Sequence, residues 1–177
     1  SKFSINASSG AVAFLSPPNF ESPTDNGLDN TYNFTVTVSD GSLSSSQSIA
    51  VAVGNVNEAP SFSIASAQSY VENSGATISV AANDPDASSS LTYTLSGTDA
   101  SKFTISSSGV LSFSSAPDYE APSDSGSNNI FNVSVAVSDG VNSSSVALVI
   151  SLTDDTSDNF GIRLPAQVAL AELKKES

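Results

Sequence analysis

Acidic side chains supply most of the chemistry this sequence offers, and they come in short groups. Glu21 closes PNFE (18–21), and Asn55, Asn57 and Glu58 lie in NVNEAP (55–60). Glu72 sits in VEN (71–73), Asp84 and Asp86 in NDPD (83–86), Asp118 and Glu120 in PDYE (117–120), Asp139 in VSDG (137–140) and Asp154 in TDD (153–155). None of these stretches contains a Lys or Arg. Carboxylates and amide carbonyls with no cationic side chain among them suit a hard divalent ion. Calcium takes six to eight oxygens in irregular geometry, whereas magnesium demands a tight octahedron and keeps its waters. Calcium is therefore the expected ion. A plainer reading stands beside it: Asp-Gly at 40–41 and 139–140 suits a hairpin turn, and NDPD a simple turn.

Other chemistries are narrowed by what is missing. Without Cys or His the chain forms no disulfide, no Cys- or His-ligated zinc site and no Ser-His-Asp triad. Asp118 and Glu120 could be drawn as a glycosidase carboxylate pair, but they are near neighbours in a loop with no aromatic cleft expected around them. The sequence therefore reads as no enzyme. Eighteen acidic residues against five basic give a net charge of −13. That balance argues against nucleic acid as a partner and is repelled by an anionic membrane surface. No apolar stretch is long enough to span a bilayer, so no direct membrane insertion is expected. The opening SKFSIN carries no leader pattern and reads as an internal or processed piece.

The elements that must position these acids repeat. SKFSINASSGAVAF (1–14) returns as SKFTISSSGVLSF (101–113), PNFESPTD (18–25) as PDYEAPSD (117–124), and TVTVSDG (35–41) as SVAVSDG (134–140). Asp40 maps onto Asp139, a period of 99 residues and so a domain-sized unit. The division expected is 1–57 as the C-terminal half of one repeat, 58–157 as a complete repeat and 158–177 as a tail. In the tail, Phe160, Ile162, Ala166 and Gln167 sit near the spacing of Phe62, Ile64, Ala67 and Gln68. It reads either as the first strand of a further repeat or as a short helix.

Within the complete repeat, Phe131, Val133, Val135 and Val137 alternate with small or polar residues, the period-two signature of a half-buried strand. Leu91–Leu95 and Val146–Leu152 alternate likewise, and shorter strands fit Phe62–Val71, Thr77–Ala81, Phe103–Ile105 and Val110–Phe113. Seven strands in about a hundred residues predict an all-β Greek-key sandwich. If each strand crosses the sandwich once, Asp84, Asp86 and Asp139 share one end with the incoming Asn55, Asn57 and Glu58. Glu21 comes to the same seam from the preceding unit. Glu72, Asp118, Glu120 and Asp154 share the other end.

In this order and at these separations, VEN, NDPD, PDYE, VSDG and NVNEAP resemble the calcium-binding cadherin-like repeats of large bacterial surface or secreted proteins. The resemblance implies an immunoglobulin-like sandwich with Ca²⁺ between successive repeats. Glu21, Asn55, Asn57 (through its carbonyl), Glu58, Asp84, Asp86 and Asp139 would then serve one junction, and Glu72, Asp118, Glu120 and Asp154 a second. Asn19 and Asn55 stand where the pattern prefers Asp, and Ser157 where it has the Glu of NVNEAP. Fewer or weaker ions are expected for it. The implied function is a calcium-stiffened structural or adhesive spacer, extracellular or at the cell surface. Its partners would be neighbouring repeats and a surface protein or polysaccharide. A carbohydrate-binding module is the alternative, but there is no Trp, and packing accounts for the positions of Tyr32, Tyr70, Tyr93 and Tyr119. The first half-repeat, short of strands, is expected to be partly disordered or to pair through an open edge.

Overall fold

The computed structural model describes residues 2–86 and 90–157. The expectations for Phe160, Ile162, Ala166, Gln167 and the ELKKES end lie outside the described residues. The chain divides into two compact units, Ser1–Glu58 and Ala59–Ser177.

The first unit contains two hairpins. β1 (Phe3–Ile5) pairs with β2 (Val12–Phe14), and β3 (Thr31–Ser39) with β4 (Ser44–Ala52), all antiparallel. An aromatic cluster joins them, with ring centroids 4.5 Å apart for Phe3–Phe14, 4.3 Å for Phe3–Phe34 and 5.1 Å for Phe14–Tyr32. The first unit thus carries strands over 3–5, 12–14, 31–39 and 44–52, and among the described residues β3 pairs only with β4.

The second unit is a sandwich. One sheet runs β6 (Ala67–Val71), β13 (Ser143–Thr153), β12 (Ile130–Ser138), β9 (Thr92–Ser96); the other runs β10 (Phe103–Ile105), β11 (Val110–Phe113), β7 (Ile78–Ser79). β5 (Ser61–Phe62) and β8 (Ala82–Asn83) form a separate short pair. Each of the seven expected stretches carries strand. Phe62–Val71 is broken in two because residues 63–66 bend, so that β5 meets β8 while β6 joins β13. Gln68 Nε2 holds that bend on the Ala65 carbonyl at 2.7 Å. Alternation does what the pattern demands: Phe131, Val133, Val135 and Val137 of β12 are buried while their neighbours turn outward. Phe131, Val133 and Val135 meet Phe103, Leu111 and Ile78 of the facing sheet in one core.

The period of 99 survives in three dimensions. Phe103, Phe113 and Phe131 repeat the triangle of Phe3, Phe14 and Tyr32, the first pair tilted by 38° in both units. β12 and β13 pair in the register of β3 and β4.

Candidate metal site

Glu72 follows directly on β6, and its backbone N–H donates to the Thr153 carbonyl at 3.1 Å, extending the parallel β6–β13 ladder by one residue. The chain then turns through Asn73 and Gly75, both at positive φ, with Ser74 Oγ donating to the Val71 carbonyl at 2.6 Å. This tight turn sends the Glu72 side chain inward, where it is 1% exposed. Its Oε2 accepts the Tyr119 N–H at 2.6 Å and its Oε1 the Asp155 N–H at 3.0 Å. One carboxylate therefore ties the PDYE loop to the segment leaving β13. The far side of Tyr119 is held as well, since Asn129 Nδ2 donates to its carbonyl at 2.9 Å.

Held this way, carboxylate oxygens of Glu72, Glu120 and Asp154 all lie within 4.8 Å of one another. Two like charges at that separation repel by on the order of 3 kcal/mol at an effective dielectric constant of about 20. Asp154 Oδ1 is buried and has no hydrogen-bond partner. A buried, unpartnered carboxylate oxygen beside two further carboxylates is a donor set that a hard cation fits. Asp118 lies outside this set, and its Oδ1 instead accepts the Ala121 N–H at 3.0 Å.

The remaining sequence-selected acids divide by role. Asp84 Oδ1 accepts the Asp86 N–H at 2.8 Å, closing the NDPD turn, while Asp84 Oδ2 is buried without a hydrogen-bond partner. Asp139 Oδ1 accepts the N–H groups of Val141 and Asn142, both at 2.6 Å, so this oxygen organises the β12–β13 hairpin. Asp40 does the same in the first unit, and the Leu43 and Ser42 N–H groups hold its carboxyl below the ordinary value. Glu21 and Glu58 bring carboxylate oxygens within 4.8 Å of each other. Asn57 Nδ2 donates to the Glu58 carbonyl at 3.0 Å, and Asn55 lies exposed in the irregular stretch after β4.

The Ser/Asn-rich loops around Asp25, Asp29 and Asp124 read from sequence as holding solvated acids, and for two of them the structure corrects this: Asp25 and Asp124 are only 7% and 5% exposed. Each folds its loop around itself: Asp124 accepts the N–H groups of Gly126, Asn128 and Asn129, and Asp25 those of Gly27, Asp29 and Asn30. The repeated Asp-x-Gly spacing at 25–27 and 124–126 was the available signal. Asp29, grouped with them, does stay exposed. Asp99, 2% exposed, was passed over altogether; its carboxylate accepts the Ser125 and Asn132 N–H groups, each at 2.7 Å.

A family model described as a bacterial Ig domain matches residues 57–151. This chain belongs to the bacterial Ig domain family. No curated protein matches it in sequence. Among solved structures, the bacterial Ig chain is similar to mouse cadherin-23 EC22-24, with 24% identity and a TM-score of 0.58 over 86% of this chain and 50% of that one. It is also similar to human protocadherin-24 EC1-2, at 21% identity and TM-score 0.61, covering 87% of this chain and 77% of that chain. Drosophila N-cadherin EC1-4 is a third, at 22% identity and TM-score 0.56, covering 86% and 38% respectively. The chain thus spans half the length of the cadherin-23 structure, and these likenesses establish a shared cadherin-type sandwich fold.

Proposed function

We propose that this chain is a calcium-stiffened, non-catalytic spacer segment of an extracellular protein, built of an incomplete repeat (1–57) and a complete one (58–157). The observation that carries the reading is the convergence of Glu72, Glu120 and Asp154 around the unpartnered Asp154 Oδ1. These three would hold a hard cation. With it bound, the PDYE loop and the segment after β13 would be locked to Glu72. The charge that now drives them apart would be neutralised. Asp118 joins them by motif resemblance. The same resemblance alone assigns calcium to Glu21, Asn55, Asn57, Glu58, Asp84, Asp86 and Asp139. Neighbouring repeats of the parent protein are the partners this reading requires.

Thermal unfolding in excess chelator, then in millimolar Ca²⁺ with Mg²⁺ as control, tests it. Extracellular calcium modules bind with Kd of about 0.1–1 mM. At ten times Kd, linkage stabilises by about 1.4 kcal/mol, or roughly 5–10 °C in Tm for a domain of about a hundred residues. The rise should be specific to calcium and shrink in a Glu120→Gln, Asp154→Asn double variant. No rise in Tm defeats the proposal; a rise that the double variant keeps in full removes these residues from the site.

A further inference from the structure

The larger sheet of the complete repeat ends on β6 and β9, and among the described residues each of these pairs on one side only. The register tells which main-chain groups of β9 are already used. The Asp139 N–H donates to the Asn142 carbonyl and the Leu152 N–H to the Asn129 carbonyl. Along β12 the odd-numbered residues therefore face β13 and the even-numbered ones face β9. Thr92, Thr94 and Ser96, opposite Ser138, Ala136 and Ser134, spend their N–H and C=O groups on β12. Tyr93 and Leu95 turn theirs to the open edge.

Edge strands are commonly guarded by a charged side chain or a proline. β9 carries neither. From Ala87 to Thr98 the sequence reads ASSSLTYTLSGT, without a charge or a proline, in a chain of net charge −13. Tyr93 and Leu95 pack against the core and are half-buried, whereas on the opposite edge strand, β6, the inward-facing Tyr70 is 6% exposed. Apolar surface thus remains along the flank of β9. The Tyr93 hydroxyl accepts the Ala82 N–H at 2.9 Å, so the ring is already fixed and pairing beside it costs little further ordering. On the outer face Thr92, Thr94 and Ser96 are short and exposed, and none of them overhangs the edge.

We propose that β9 is a like-with-like contact, pairing antiparallel with β9 of a second copy of this chain about a twofold axis through Thr94. The strand's own pattern selects that partner. Around Thr94 it is self-complementary: Thr92 falls opposite Ser96 of the second copy, Tyr93 opposite its Leu95, and Thr94 opposite its Thr94. Hydroxyl meets hydroxyl on the outer face and aromatic meets aliphatic on the inner one, both favourable cross-strand pairs. The free main-chain groups agree, because Tyr93 and Leu95 face each other in this register. A slip of one residue would set them against Thr94, whose groups are spent on β12. Two chains of net charge −13 approach most easily where neither presents charge, and this strand is such a place in both. The contact is small. β9 has five residues, a length of roughly 17 Å. The area it covers falls short of the roughly 800 Å² per partner of a standard interface, so the pairing is weak and reversible. It is isologous and closes at two copies. None of the metal-site carboxylates takes part, so it stands apart from calcium.

Sedimentation equilibrium of the full chain in chelator, carried to millimolar concentration, should show a reversible dimer. Thr94 is exposed, so Thr94→Lys should leave Tm unchanged while it abolishes the dimer by setting two ammonium groups face to face at the axis. An equimolar mixture of Thr94→Lys and Thr94→Glu chains should restore it. The chain has no cysteine, which makes a single introduced thiol a clean reporter. Residues opposite each other at such a position have Cα atoms about 4.5 Å apart, within disulfide reach. Thr94→Cys should therefore give a disulfide-linked dimer on mild oxidation, and Ala147→Cys, on the exposed face of β13, should not. Four results would each overturn the proposal: no dimer at millimolar protein; a dimer that Thr94→Lys retains, which places the contact on another surface such as β6; a Lys/Glu mixture that stays monomeric; or Ala147→Cys crosslinking as fast as Thr94→Cys.

Discussion

Asp25 and Asp124 each sit at the centre of a loop that wraps its backbone N–H groups around the side chain. For Asp124, burial raises the carboxyl pKa, but the Asn128, Asn129 and Gly126 N–H groups more than offset it, and the net value falls below the ordinary 3.8. Asp25 is lowered by the same balance, with Asp29, Gly27 and Asn30 as donors. A carboxyl lowered in the folded state stabilises above its unfolded pKa and loses that contribution as pH falls through the folded value. Urea midpoints should therefore be flat from about pH 7 to 5 and drop below about pH 4. Asp124→Asn should be less stable at neutral pH and show a shallower acid loss; an unchanged midpoint at pH 7 would show that the cage contributes nothing. The acids of VEN, PDYE and TDD were legible in the sequence because they stand in short motifs without cations. Asp99 was not, because its partners lie 26 and 33 residues away and nothing local marks it.

Strands declared themselves wherever alternation was long. β12 and β13 were readable from Val and Leu at every second position, and β10 and β11 fall on the expected residues. The breaks were harder to see, because the step from β5 to β6 is set by which strand each half pairs with, and that is a tertiary fact. Glycine tests the pairing of elements directly. Gly109 has φ +74° and is crowded by Ala81 and Tyr93, whereas Gly10 has φ +72° in open space. Substitution by alanine at Gly10 should cost only the backbone strain, about 1 kcal/mol. At Gly109 the clash with the Ala81 backbone adds to that strain, and a loss of about 3 kcal/mol or more is expected. Denaturant unfolding of the two variants compares them, and equal losses would contradict the packing of Ala81 and Tyr93 around Gly109.

At the scale of the whole molecule the two units repeat one strand pattern, and β3 and β12 differ in what pairs with their outer edge among the described residues. Amide exchange should separate them. Asn33, Thr35 and Thr37 on the open side of β3 should exchange faster than Ser134 and Ala136, whose counterpart edge is paired with β9. Comparable protection in the two sets would mean that the β3 edge is already covered in solution. The recurrence was legible because the sequence repeats at a period of 99; which strand edges are covered was not, since that is set by tertiary pairing. The parallel pairing of β6 with β13 has a mechanical consequence. β6 follows only the two-residue β5 at the start of the second unit, β13 is the last described strand, and the two run the same way over Ala67–Val71 and Val149–Thr153. Tension on the two ends pulls them in opposite directions along their length. The load then falls on all their hydrogen bonds at once, in shear, instead of peeling them one by one. Glu72 bolts the loaded end of that clamp to the segment leaving β13, so the residue that gathers the carboxylates also sits where a pulling force would enter the sandwich along the chain.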